Sequence, residues 1–262
     1  EGIPFPVHYL PGNHDIGDKH IASAPAPQVS DIFLEKYKKH FGSTFGAFDH
    51  QGIHFITLNA SVINSGLSEE ADQWVWLKQF TKDHFNQRSF VFIHYPPYLA
   101  LRNERSHYDN IDEPGRSQLL ELLGGISVEG IFTGHVHHFF YNRFGKTDMY
   151  CLPSTAFTRH DFSELFAVGP GYEFGRDDSE KLGYTMVDVF HQSHAVRLID
   201  VEKNNSSTTS HLRKLKSLHP REGYVPQISV QLRHDWSAVS GLPANGPLDD
   251  FTRKKARNDY PI

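Results

Sequence analysis

Apolar and polar positions alternate in patterns that divide residues 30–201 into strands and helices. Apolar runs rich in β-branched or aromatic residues predict strands at residues 89–93 and 128–133. Period-two alternation around polar turns predicts hairpins at residues 44–59, 139–152 and 184–201. Apolar residues at helical spacing predict helices at residues 30–42, 69–85 and 114–125. Together these elements predict a fold of the α/β class.

The same pattern predicts caps and inward-facing side chains. Ser30 and Ser68 are predicted to cap the first two helices, and Gly42 to end the first. The apolar face of the first helix is predicted to consist of Ile32, Phe33, Tyr37 and Phe41. The inward side of the first hairpin is predicted to consist of Phe45, Phe48, Phe55 and Leu58.

The regular pattern ends near residue 201. Residues 203–210 are a polar run typical of a linker, and the remainder contains one predicted strand, at residues 224–232. We therefore predict a domain at residues 1–201 and a linker with a C-terminal extension of unknown role at residues 202–262.

Three apolar runs, each predicted to form a short strand, end in side chains that can bind metal or transfer protons. Residues 7–11 lead into Gly12-Asn13-His14-Asp15, residues 90–93 into His94, and residues 128–133 into Gly134-His135-Val136-His137. Functional groups in open α/β sheets collect at the carboxyl ends of strands, so we expect one common rim. The histidine pair alone is weak evidence, because the chain contains 18 histidines.

In their order and spacing these motifs resemble those of the calcineurin-like metallophosphoesterases, which carry Gly-Asn-His-Asp/Glu, a lone His after a strand and Gly-His-x-His. The resemblance implies a four-layer α/β/β/α sandwich. The family pattern opens with Asp-x-His and Gly-Asp, and neither precedes Gly12 in this sequence. Gly17-Asp18 follows Gly-Asn-His and is interpreted as a coincidence in a loop. We therefore expect a sandwich that lacks its first strands.

The resemblance also implies a site with two divalent metal ions, of Mn, Zn, Fe or Ni, that activate a hydroxide. Asn13, His94 and His135 would hold one ion, and His137 the other. His14 would protonate the leaving group as the general acid, with Asp15 orienting its ring. The family's remaining ligands, including the bridging aspartate, belong to the absent motifs. The chain as given is therefore expected to bind at most one ion, to hydrolyse little and to aggregate.

The long irregular segment after His94 is expected to form a lid or a substrate wall. Tyr95, Tyr98, Tyr108 and Arg159 are candidates for contacting substrate, and ordinary loop positions are an equally good interpretation. His8, His138 and His160 lie near the motifs and are interpreted as structural or as supports for the metal ligands.

Composition narrows the possible functions. A net charge of −5 and a pI near 6.4 give no electrostatic footprint for nucleic acid. No stretch approaches the ~20 consecutive apolar residues of a membrane span. The single cysteine, Cys151, excludes an internal disulfide and slightly favours a reducing compartment such as the cytoplasm.

The sequence therefore predicts a metal-dependent phosphoesterase acting on a phosphomonoester or phosphodiester substrate. The alternative is a catalytically silent binding protein that keeps the fold and uses the rim for recognition. A structural zinc domain is disfavoured, because cysteine ligands are absent and the histidines lie far apart.

Overall fold

A computed structural model describes residues 5–22, 24–156 and 182–200. These residues fall into two compact units, which meet in sequence between His135 and Val136. The predicted linker and the strand at 224–232 lie outside the described residues. The predicted domain boundary after residue 201 therefore stays a prediction.

The first unit contains four helices and four strands. In chain order they are α1 (Asn13–Ile16), α2 (Asp31–Phe41), β1 (Gly46–His50), β2 (Ile53–Leu58), α3 (Ser68–Asp83), β3 (Arg88–Ile93), α4 (Gly115–Gly124) and β4 (Ser127–Thr133). The strands pair in the order β1-β2-β3-β4. The pair β1-β2 is antiparallel, whereas β2-β3 and β3-β4 are parallel. The last residues of β3 and β4 therefore lie at the same edge of the sheet.

The hairpin β1-β2 turns at Gln51 and Gly52, which both adopt positive φ as the turn requires. On β2 the buried positions are those of His54, Ile56 and Leu58, whereas Phe55 is only partly buried. The prediction that Phe55 and Leu58 both point inward was therefore wrong. Phe55 and Leu58 are three residues apart on a strand, so they lie on opposite faces.

Helix α2 begins after Ser30 and ends before Gly42, as predicted. It buries Leu34 and Tyr37, whereas Ile32, which was predicted to lie on the apolar face, is 76% exposed. The buried face of the helix is therefore rotated away from the predicted one. In α3, Ser68 is the first helical residue and Leu67 precedes it, which corrects the predicted cap.

The helix α4 follows Pro114 and ends before Gly125, as the sequence predicted. Its buried side chains are those of Arg116, Leu119, Leu120 and Leu123. No helix in the described part of the chain is long and apolar enough to cross a bilayer.

The second unit, in its described part, consists of two antiparallel hairpins, both predicted from the sequence. They are formed by β5 (Phe140–Phe144) with β6 (Thr147–Cys151), and by β7 (Gly183–Val189) with β8 (His194–Asp200). The first turns at Gly145, which has a positive φ. Tyr150 and His194 connect the hairpins through a contact of 3.0 Å between the Tyr150 hydroxyl and His194 Nε2.

The strand predicted at residues 7–11 does not form in the described structure. These residues have no regular secondary structure, and the side chains of Val7 and Tyr9 are exposed. An alternating pattern shows only that a segment could join a ladder, because pairing also needs a partner strand. The first motif consequently lies on the short helix α1 rather than at a strand end.

Candidate metal centre

Asn13 opens α1, and the packing around Gly12 and Ile16 fixes its position. Ile16 is fully buried in a cluster with Val29, Leu34, Tyr37 and Val62, which anchors the helix. A side chain at position 12 would meet the His94 ring, since a Cβ there would lie 2.9 Å from His94 Cε1. Glycine is thus required for the close approach of the α1 turn to His94.

Three donor atoms from distant parts of the first unit converge at this turn. The Asn13 side-chain oxygen Oδ1 lies 2.8 Å from His94 Nε2, just after β3. The same oxygen lies 3.4 Å from His135 Nδ1, just after β4. A hydrogen bond from the Gly134 N–H to the His94 carbonyl, 2.9 Å long, joins the two strand ends. The structure therefore brings together three of the four residues predicted as metal ligands.

Both histidines of the Gly-His-x-His motif have left-handed backbones. His135 has φ +67° and His137 has φ +61°, values that cost energy in a residue with a Cβ. Such conformations persist where the surrounding structure enforces them, and they cluster at functional sites. His137 belongs to the second unit, and its assignment to a second metal stays a prediction.

Asp18, which the sequence interpretation dismissed, is part of this site. Its carboxylate is fully buried, and Oδ1 accepts hydrogen bonds from Asn13 Nδ2 at 2.7 Å, Tyr108 Oη at 3.0 Å and Tyr95 Oη at 3.2 Å. The other oxygen, Oδ2, accepts from the Ala26 N–H at 3.1 Å. The sequence carried no signal for this role beyond an acidic residue five positions after Asn13.

Aromatic rings and a carboxylate enclose His135. The ring centroids of Tyr95 and Tyr108 lie 4.0 Å and 4.8 Å from that of His135. Asp109 Oδ1 lies 3.3 Å from His135 Nε2, on the side of the ring away from Asn13. A carboxylate at the second nitrogen is the usual partner of a metal-ligating imidazole. Burial, followed by the nearby Tyr108 and Asp18, raises the pKa of Tyr95, so its hydroxyl remains a proton donor.

The segment that carries Tyr108 and Asp109 is held by Lys19. The Lys19 ammonium donates to the carbonyls of His107 at 2.6 Å and Asn110 at 2.5 Å, and to Asp112 Oδ1 at 2.8 Å. Burial lowers the pKa of Lys19, and Asp112 opposes that shift. Asp18 and Lys19 are consecutive in sequence, so one short stretch positions both Asn13 and the segment that covers His135.

The other predicted site residues are distributed as follows. His14 and Asp15 are exposed on α1, and Asp15 accepts a hydrogen bond of 2.8 Å from the Gly12 N–H. Tyr95 and Tyr98 are buried, and Arg159 and His160 lie outside the described residues. His8 stacks on Phe48 with ring centroids 3.5 Å apart. The proposed contacts of these tyrosines and Arg159 with substrate stay predictions.

The donor set fits one divalent ion. Donors bound at roughly 2.0–2.1 Å in tetrahedral or octahedral geometry lie about 2.9–3.4 Å apart, close to the separations around Asn13 Oδ1. Two imidazoles and an amide oxygen suit Zn, Mn, Fe or Ni better than Mg or Ca. In the described ranges no group of three or more His, Cys, Asp or Glu side chains is placed to hold a metal ion; the set at this site consists of two histidines and an asparagine.

The described structure joins Asn13 of α1 to His94 and His135, which follow the parallel strands β3 and β4. A family model, calcineurin-like phosphoesterase, matches residues 2–139, which are more than half of the chain. The chain therefore belongs to the calcineurin-like phosphoesterase family. This confirms the resemblance drawn from the motifs and the mixed α/β class.

The matches to individual relatives extend over about half of this chain. A serine/threonine-protein phosphatase CPPED1 from Danio rerio is 28% identical over 140 residues, which are 51% of this chain and 42% of the relative. Purple acid phosphatase 23 from Arabidopsis thaliana is 30% identical over 161 residues, 56% of this chain and 31% of the relative. The structure of purple acid phosphatase PPD1 from yellow lupin (Lupinus luteus) seeds has a TM-score of 0.47 and 12% identity, and the match covers 77% of this chain and 39% of that one. The chain thus spans less than half the length of the curated relatives it matches.

Proposed function

We propose that this protein is a metal-dependent hydrolase of phosphoesters, with its reaction centre at the α1 turn and the ends of β3 and β4. The observation that carries the proposal is the convergence of Asn13 Oδ1, His94 Nε2 and His135 Nδ1 in a chain of the calcineurin-like phosphoesterase family. The similarity to a serine/threonine-protein phosphatase and to a purple acid phosphatase supports hydrolysis of phosphoric esters. They give no support to the silent binding protein.

We assign one divalent ion to Asn13, His94 and His135, and a second ion to a site that includes His137. A pair of such ions would supply activation of water and neutralisation of the phosphoryl oxygens. The Asn13 oxygen is a neutral ligand, so it would not reduce the positive charge available to the phosphate. Asp109, beside His135 Nε2, would hold that imidazole with Nδ1 turned towards Asn13.

His14 is the proposed general acid. It follows Asn13 directly and is exposed, so a phosphate beside the Asn13 carbonyl would have this imidazole within reach. Asp15 is bonded to the Gly12 N–H and fixes the turn that carries His14. As the general acid, the His14 imidazole would give a proton to the departing alkoxide.

The direct test is hydrolysis of nitrophenyl phosphate and of bis-nitrophenyl phosphate by the purified intact protein supplied with Mn²⁺ or Zn²⁺. We expect turnover of at least one ester, loss of turnover after chelation, and recovery when the metal is restored. The ratio of the two rates would assign the protein to monoesters or to diesters. Full turnover at a metal content verified as nil would refute metal-dependent hydrolysis.

A further inference from the structure

We propose that Asp18 is a positioning residue that fixes the amide of Asn13 with its oxygen towards the metal. The proposal rests on the function assigned above and adds to it a residue outside the ligand set. Asp18 touches none of the three donor atoms of that set; it acts through the Asn13 amide nitrogen, 2.7 Å from its Oδ1.

The orientation of an asparagine amide is decided by its hydrogen-bond partners, since its oxygen and nitrogen ends have nearly the same shape. Asp18 Oδ1 accepts hydrogen bonds from Asn13 Nδ2 and from the hydroxyls of Tyr95 and Tyr108, so the end of Asn13 that faces Asp18 is the NH₂ group. The oxygen is then necessarily turned towards His94 and His135. A flipped amide would place its oxygen against the carboxylate and would offer NH₂, which cannot ligate, to the metal.

The carboxylate of Asp18 is itself held in place. Tyr108 Oη donates to Asp18 Oδ1 at 3.0 Å and lies 3.1 Å from Asn13 Nδ2, which closes a triangle of three side chains. Tyr95 Oη and the Ala26 N–H supply two further hydrogen bonds. Four donors around a fully buried carboxylate leave it one orientation, and that orientation is transmitted to Asn13.

The sharpest test exchanges the two functional groups. In Asp18→Asn, the new amide can present either end, so Asn13 is no longer forced to turn its oxygen towards the histidines. In Asn13→Asp, two carboxylates would oppose each other at the site of the 2.7 Å hydrogen bond. In the double variant Asn13→Asp/Asp18→Asn, the amide at position 18 donates to the carboxylate at position 13, whose other oxygen faces the metal.

The readout is metal affinity, independent of hydrolysis. Zn²⁺ binding is measured by competition with a chromophoric chelator, and Co²⁺ binding by its visible absorption. We expect Asp18→Asn to bind both ions about 10–100-fold more weakly than the wild type, as is typical when a residue supporting a ligand is lost. The double variant is expected to bind more tightly than either single variant. Asp83→Asn is the matched control, since Asp83 is exposed on α3 and contacts Gln79 rather than Asn13, and it should bind like the wild type.

Each result distinguishes positioning from a purely structural role. A lower melting temperature for Asp18→Asn with unchanged metal affinity would overturn the proposal, as would a double variant no better than both single ones. If Asp18→Asn does not fold, Tyr108→Phe removes the hydroxyl that contacts both Asn13 and Asp18 and should weaken binding in the same direction. Wild-type protein that binds no metal would overturn the proposed function together with this inference, whereas equal binding by wild type and Asp18→Asn would overturn the inference alone.

Discussion

At the scale of single residues, adjacent side chains in one motif have different surroundings. Asn13 is buried, and its oxygen faces two imidazoles, whereas His14 is exposed. This difference in burial is the reason for proposing a metal ligand at Asn13 and a general acid at His14.

We therefore expect His135→Ala to reduce metal content and His14→Ala to leave it nearly unchanged. His14→Ala should lower kcat by about 10²–10⁴-fold for an ester with a poor leaving group, and by much less for a nitrophenyl ester, whose leaving group departs without a proton. Metal analysis and kinetics on both esters measure the two effects. The control is His40→Ala, an exposed histidine on α2, which should change neither. Equal loss of metal in the His14 and His135 variants would show that His14 is a ligand.

At the scale of elements, the segment between β3 and α4 is ordered by side chains rather than by regular structure. Glu104 receives hydrogen bonds from the N–H groups of Leu99, Ala100 and Leu101 and from Asn110 Nδ2, and it lies beside His107. Burial raises the pKa of Glu104, but His107, Asn110 and Leu99 outweigh it, and the pKa falls to about 2. The segment that carries Tyr108 and Asp109 thus depends on an ionised Glu104.

We expect Glu104→Gln to lower the free energy of unfolding at pH 7 by at most about 3 kcal/mol, the value that corresponds to a pKa lowered from 4.5 to about 2. Because the folded-state pKa is depressed, this contribution is fully present above pH 4.5 and is lost as the pH falls towards 2. Urea unfolding at pH 7 and at decreasing pH should therefore show a difference between wild type and variant that shrinks below pH 4.5. The exposed Glu121→Gln on α4 is the control. A difference that is constant across this pH range would contradict the argument.

At the scale of the whole molecule, a metal that binds only the folded state links the site to the stability of the protein. At a free metal concentration of about 100 times Kd, binding stabilises the folded state by roughly 3 kcal/mol. For a chain of this size that corresponds to an increase in Tm on the order of 5–10 °C.

We expect Zn²⁺ or Mn²⁺ to raise the Tm of chelator-treated protein by about this amount, and Mg²⁺ to have a smaller effect, because two of the three donors are imidazoles. Thermal unfolding followed by circular dichroism measures the shift. The His135→Ala variant should lose it. A shift of the same size in that variant would mean that the stabilising ion is bound elsewhere.

The sequence by itself determined most of the elements and the ligand candidates. The hairpins, the strands β3 and β4 and the limits of α2 and α4 follow from local periodicity and from Ser, Pro and Gly at their ends, which act within a few residues. The motif histidines were identifiable because their order along the chain resembles a family. The prediction that Phe55 points inward together with Leu58 was wrong, because residues three apart on a strand lie on opposite faces. The prediction of a strand at residues 7–11 was wrong, because a strand also needs a partner to pair with.

Only the tertiary structure decided what supports the ligands. Asp18 meets Tyr95 and Tyr108 across 77 and 90 residues of sequence, and Lys19 meets the carbonyl of Asn110 across 91. No local pattern specifies such contacts, because hydrogen bonds between buried polar groups are fixed by the packing of whole elements and not by the spacing of neighbours. For the same reason, the direction in which the Asn13 amide points became evident only when its burial against Asp18 was known.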